Sequence, residues 1–192
     1  MRLRAALLCA IGLTLCVQGS QASSIGVFFA PDGSDCDGIA AAGSPFTLYV
    51  GAVLGGDAAA GGITGAEFRL DGVDPAWSRV ISPSPAANLS LGNPIGGGCN
   101  IAFPACQPGP YVHLYTIELT AIGLVSPTTF AVRRHAVCSD CSWPCALVTK
   151  CDAPIFTKVC VAGGQAFLND PSRACSVGVQ MEAWSTVKAL YK

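Results

Sequence analysis

The chain is 192 residues long, 51% hydrophobic and only 12% charged, with 11 basic and 12 acidic residues and a net charge of −1. Beyond Arg133-Arg134 it groups no cations, which excludes nucleic acid as a partner because phosphate binding draws on several clustered Lys and Arg side chains. Its 22 glycines, 13 prolines and 11 cysteines point instead to short strands, frequent turns and crosslinks.

The first element is a cleavable signal peptide over residues 1–22. Arg2 and Arg4 form a basic start, Ala5 to Val17 an uncharged apolar run, and Ser20-Gln21-Ala22 a small-residue site for cleavage before Ser23. The apolar run falls short of the roughly 20 residues that a membrane span needs, and no later stretch supplies a transmembrane segment. Loss of Arg2 and Arg4 leaves nine basic residues against twelve acidic ones, a net charge of −3. The mature length suits one domain over 23–178, followed by a C-terminal tail over 179–192.

Within the domain, Ile25–Ala30 is a strand stopped by Pro31-Asp32-Gly33, and Pro45–Leu54 a second, closed by Gly55-Gly56-Asp57. Gly65–Leu70 alternates, which places Ala66, Phe68 and Leu70 in the core and leaves Glu67 and Arg69 more exposed. A long loop is expected from Gly72 to Gly98, then a short strand at Asn100–Phe103. Tyr111–Ile122 alternates over its whole length, setting Val112, Leu114 and Thr116 on one face and His113, Tyr115 and Ile117 on the other. Thr128–His135 and Ile155–Val161 complete the set, with a second long loop over Ala136–Pro154. Short period-2 runs between turn signals define an all-β domain, a disulfide-stapled antiparallel β-sandwich. Only the tail has helical periodicity, with Trp184, Val187, Leu190 and Tyr191 on one side.

Nine cysteines remain after export: Cys36, Cys99, Cys106, Cys138, Cys141, Cys145, Cys151, Cys160 and Cys175. An oxidising compartment turns such a count into four disulfides and one thiol. Proximity favours Cys99–Cys106 around Pro104, and the other pairings stay open. Cys138, Cys141, Cys145 and Cys151 could alternatively hold zinc, but their spacing lacks two C-x2-C knuckles and exported thiols tend to oxidise before they coordinate. Asp32, Asp35 and Asp37 group three carboxylates as a calcium site would, yet an EF-type register on Gly38 puts Gly33 at position 1 and Ser44 at position 12. A solvated turn is the simpler reading, and no cofactor is expected.

Catalytic constellations are mostly absent; a Cys–His pair stays open, though oxidised cysteines are poor nucleophiles. There is no G-x-S-x-G elbow, no H-E-x-x-H, and the glycine runs lack the lysine of a phosphate loop. His113 and His135 read as strand residues. Asn88-Leu89-Ser90 has the form of a glycosylation sequon.

The run Pro45-Phe-Thr-Leu-Tyr-Val-Gly-Ala-Val53, then Gly61-Gly-Ile-Thr-Gly-Ala-Glu-Phe-Arg-Leu-Asp-Gly72, resembles the opening strands of cohesin-like modules. Cys99–Phe103 and Leu114–Ile117 are similar to that family's later core strands. The resemblance covers about half of the mature chain and is shared in part with Ig-like and carbohydrate-binding sandwiches; cohesins are not cysteine-rich as this chain is. It implies a sandwich that binds or displays something. The expectation is therefore a non-catalytic secreted or cell-surface module that binds an extracellular protein or a glycan, with Trp77 and Trp143 as candidate ligand contacts. The alternatives are a structural surface component without a ligand site and, third, a secreted hydrolase.

Overall fold

A computed structural model describes residues 22–137, 142–152 and 156–173. Twelve strands and one short helix follow in chain order: β1 Ser24–Phe28, β2 Asp37–Gly38, β3 Pro45–Val53, α1 Gly56–Gly61, β4 Ile63–Asp71, β5 Ser78–Pro83, β6 Leu89–Asn93, β7 Gly98–Gln107, β8 Tyr111–Thr120, β9 Thr128–Arg133, β10 Ala146–Lys150, β11 Thr157–Gly163 and β12 Gln165–Leu168. The candidate tail helix and the 178/179 boundary lie outside the described residues.

The strands pair in the order β2-β12-β9-β4-β10-β11-β1-β3-β8-β5, with β7 and then β6 branching from β4. The path folds over on itself as an open sandwich. One layer is β5-β8-β3-β1, the other β6-β7-β4-β10, and β11 joins them by pairing antiparallel to β10 and parallel to β1. The strand β4 serves two neighbours on one side: Ile63–Glu67 pairs with β10, and Arg69–Asp71 with β9. Besides β1–β11, only the short β2–β12 pair is parallel among the described strands, a small departure from the antiparallel expectation.

One apolar cluster fills the space between the layers. Phe68 of β4 meets Tyr115 of β8 edge-on at 5.8 Å, and Phe130 of β9 meets Phe46 of β3 at 6.4 Å. Trp77 closes one end, edge-on to Phe46 at 5.6 Å and to Phe130 at 6.4 Å. The Asp74–Trp77 turn places it there: the Asp74 carbonyl accepts from Trp77 N at 3.1 Å and its carboxylate from Ala76 N at 2.8 Å.

The alternation expected for Tyr111–Ile122 is broken once. Val50 pairs with Tyr115 but Gly51 pairs with His113, so Leu114 is an extra residue. This β-bulge advances the side-chain phase by one position. Val112 and Leu114 point inward before it, and Tyr115, Ile117 and Leu119 after it. The expected face containing Thr116 and Glu118 therefore turns to solvent. Both long loops hold strands instead: Gly72–Gly98 contains β5 and β6, and Ala136–Pro154 contains β10. β5 and β6 are edge strands with mostly exposed side chains, so they lack the apolar alternation that marks a half-buried strand.

Candidate functional site

Because β4 is flanked on both sides, its outward residues are flanked too. The register across the second layer gives two outward rows. One runs Leu91–Asn100–Glu67–Leu147–Cys160, the other Leu89–Ala102–Gly65–Thr149–Lys158. Small Gly65 and Ala102 sink the middle of the second row. Gly65 has no room for a side chain: a Cβ there would lie 2.8 Å from the Ile101 carbonyl oxygen. The result is a shallow hollow of about 290 Å³ with Glu67 in its floor, Leu89 on one rim and Lys158 on the other.

Burial and exposure divide sharply here. Glu67 keeps 6% of its surface, whereas Leu89 and Leu91 keep 49% and 55%. Leu147, its register partner on β10, is buried too, at 3%. The expectation that Glu67 would be exposed is thus corrected. A solvent-facing position on a central strand is walled in by its neighbours' side chains, a geometry that single-strand alternation does not contain. Arg69 is more exposed than Phe68 and Leu70, as expected, and pairs with Asp71 at 2.7 Å.

Cys99 and Cys106 are not bridged. Both lie in one strand, β7, Cys99 buried near its start and Cys106 near its end, beyond an irregularity in which β7 runs from Ala102 to Gln107 while β4 runs from Gly65 to Ile63. Cys106 pairs with Cys151, tying the end of β7 to the residue after β10, with Cα atoms 6.0 Å apart. Cys145 pairs with Cys160 at 5.6 Å, joining the start of β10 to β11 beside the hollow. Cys36 is also disulfide-bonded. Among the described residues Cys99 alone carries a free thiol. It is buried beside Tyr115, and burial pushes it up to about 12. Two of the four candidate zinc ligands, Cys145 and Cys151, are thereby spent as disulfides, and Cys138 and Cys141 lie outside the described residues.

The acidic turn uses its carboxylates on itself. Asp32 accepts from Ser34 N at 3.1 Å and Ser34 Oγ at 2.6 Å, and Asp35 accepts from Asp37 N at 2.9 Å. The Ser34 hydroxyl, and after it the Ser34 N–H, holds the Asp32 carboxyl below its ordinary value. Asp37 lies in β2. Among the described residues no group of three or more His, Cys, Asp or Glu side chains could hold a metal ion.

Trp77 keeps only 6% of its surface, so it is a core residue and not an accessible ligand contact. Trp143 is half-buried in the segment before β10, its carbonyl accepting from Arg134 at 3.5 Å. Neither histidine lines the hollow. His113 Nε2 is 3.0 Å from Thr116 Oγ1, and burial lowers its pKa. His135 Nδ1 accepts from Val137 N at 3.0 Å. Asn88 of the sequon is exposed, its backbone N–H donating to Ala102 at 3.0 Å.

The fold is that of cohesin modules. The cohesin module of a Clostridium perfringens family 33 glycoside hydrolase superposes with a TM-score of 0.52 at 14% identity, covering 78% of this chain and 95% of that one. The sixth cohesin of Acetivibrio cellulolyticus scaffoldin B, solved with a mutant Cel5 dockerin, gives 0.50 at 10% identity over 77% and 98%. The seventh ScaB type I cohesin of Pseudobacteroides cellulosolvens gives 0.50 at 10% over 80% and 97%. No protein-family model and no curated protein matches the sequence.

Proposed function

We propose that this chain is an exported, non-catalytic module that docks a protein partner on the outer face of β6-β7-β4-β10. The observation that carries the reading is the hollow over Glu67 with Leu89 and Leu91 standing proud beside it. Apolar anchors around a partly desolvated polar centre make a protein-binding surface, since a few such contacts carry most of the affinity. The Acetivibrio cohesin was solved bound to a dockerin, which supports a protein of that kind as the occupant here. Residues 1–22 support export, and the disulfides suit an oxidising compartment.

The test is capture. The oxidised chain is immobilised and challenged with a dockerin panel and with the extracellular proteins of its own host. Wild type is expected to retain one partner that Leu89→Arg and Leu91→Arg each lose, while both variants melt within a few degrees of wild type. Retention unchanged in both variants would refute the docking face. Detectable hydrolysis of substrate panels by the purified chain would refute the non-catalytic reading.

A further inference from the structure

The opposite side of the sandwich carries a different surface, and its composition follows from the bulge in β8. With Leu114 absorbed, Thr116 and Glu118 turn outward beside Thr47 and Tyr49 of β3. Register aligns Ser82 of β5 with Thr116, and Thr116 with Tyr49, in one row across three adjacent strands. At about 4.8 Å between strands that row is roughly 10 Å long, the scale of a short oligosaccharide. His113 stands next to it, its ring centroid 6.2 Å from that of Tyr49 and its Nε2 3.0 Å from Thr116 Oγ1.

The chemistry of this face is narrow. Hydroxyls donate and accept equally, the two rings supply apolar area with a polar tip, and Glu118 is the charged member of the rows just described. No cation is present among those residues to bind phosphate or a polyanion. Val80, which pairs with Glu118, is an exposed apolar side chain on this face at 58%, set beside Thr, Ser and the two rings. A ligand that matches must itself offer a flat C–H face edged with hydroxyls and no charge. Sugar rings do so.

We infer that the outer face of β5-β8-β3, centred on Tyr49, His113 and Thr116, is a second binding surface that takes a neutral polysaccharide chain. Such a module would hold a protein on one face of the sandwich and a glycan on the other.

Affinity electrophoresis of the full oxidised chain in gels containing hydroxyethylcellulose, arabinoxylan or galactomannan tests this directly. Wild type is expected to be retarded by at least one of the three. Tyr49→Ala weakens that retardation about tenfold, the loss of one ring stack, and Tyr49→Phe keeps it within about twofold because the ring remains. Ser82→Arg, on an exposed edge strand where folding is insensitive to side-chain size, abolishes it by blocking the row. Leu89→Arg, on the protein-docking face, leaves it unchanged, so the two surfaces fail independently. Equal mobility with and without all three polysaccharides overturns the inference, as does retardation that is the same in wild type and Ser82→Arg.

Discussion

Replacing both cysteines of one bridge by serine separates the two described disulfides by the chain each one closes. Cys106–Cys151 closes a separation of 45 residues and Cys145–Cys160 one of 15. Loop-closure entropy grows as the logarithm of that length, giving about 4 kcal/mol for the longer bridge and about 3 kcal/mol for the shorter. Cys106 and Cys160 are exposed and their partners half-buried, so changes in buried apolar area are small beside the entropy. At roughly 2–4 °C per kcal/mol for a domain of this size, the longer bridge is worth about 12 °C in Tm. The two closed segments share only residues 145–151, so the two costs are close to additive. Equilibrium denaturation of Cys106→Ser/Cys151→Ser and of Cys145→Ser/Cys160→Ser measures the difference. Equal costs, or a larger cost for the shorter bridge, would refute the loop-length reasoning.

Further outcomes follow from the core. Phe68→Ala leaves a cavity against Tyr115 and costs about 3–5 kcal/mol, read by denaturant midpoint. Phe130→Ala costs a similar amount because Phe46, Phe29 and Trp77 all lose a ring contact. The buried Cys99 thiol stays unreactive to a thiol reagent near neutral pH until the chain unfolds. Its folded pKa, about 12, lies above the ordinary 9.0, so its contribution to stability is complete below pH 9 and fades as the pH rises toward 12; Cys99→Ala reduces the alkaline slope in a pH series of melts, leaving the part that comes from Tyr111 and Tyr115, whose burial also raises their pKa. Deleting Leu114 removes the bulge but leaves Tyr115 opposite Val50 in the core phase; the expected cost is the lost burial of Leu114, about 2–5 kcal/mol by denaturant midpoint, with a folded protein.

Much of this fold is legible in the residues. Ile25, Val27, Leu48, Val50, Phe68 and Leu70 alternate as half-buried strands do, and each is buried. What escapes a reading along one strand is information held between strands. Glu67 is enclosed by residues from β7 and β10 that are distant in sequence. Tyr111–Ile122 presents apolar residues in both phases because a bulge uses first one phase and then the other. β6, with the sequence Leu-Ser-Leu-Gly-Asn, sits among turn residues and buries nothing, so its identity as a strand comes from pairing with β7. Cys99 and Cys106 look like neighbours only if the chain between them turns back; both instead stay in β7, whose far end hands Cys106 to Cys151. Trp77 resembles an exposed loop aromatic until the Asp74 turn swings it over the core.

The docking face itself is tested most directly by hydrogen–deuterium exchange of the chain with and without its captured protein partner. Slowed exchange is expected in β6, β7, β4 and β10, around residues 63–67, 89–93, 98–102 and 146–150, with β3 and β8 unchanged. Slowed exchange confined to β3, β5 and β8, with residues 63–67 and 89–93 unaffected, would contradict the account.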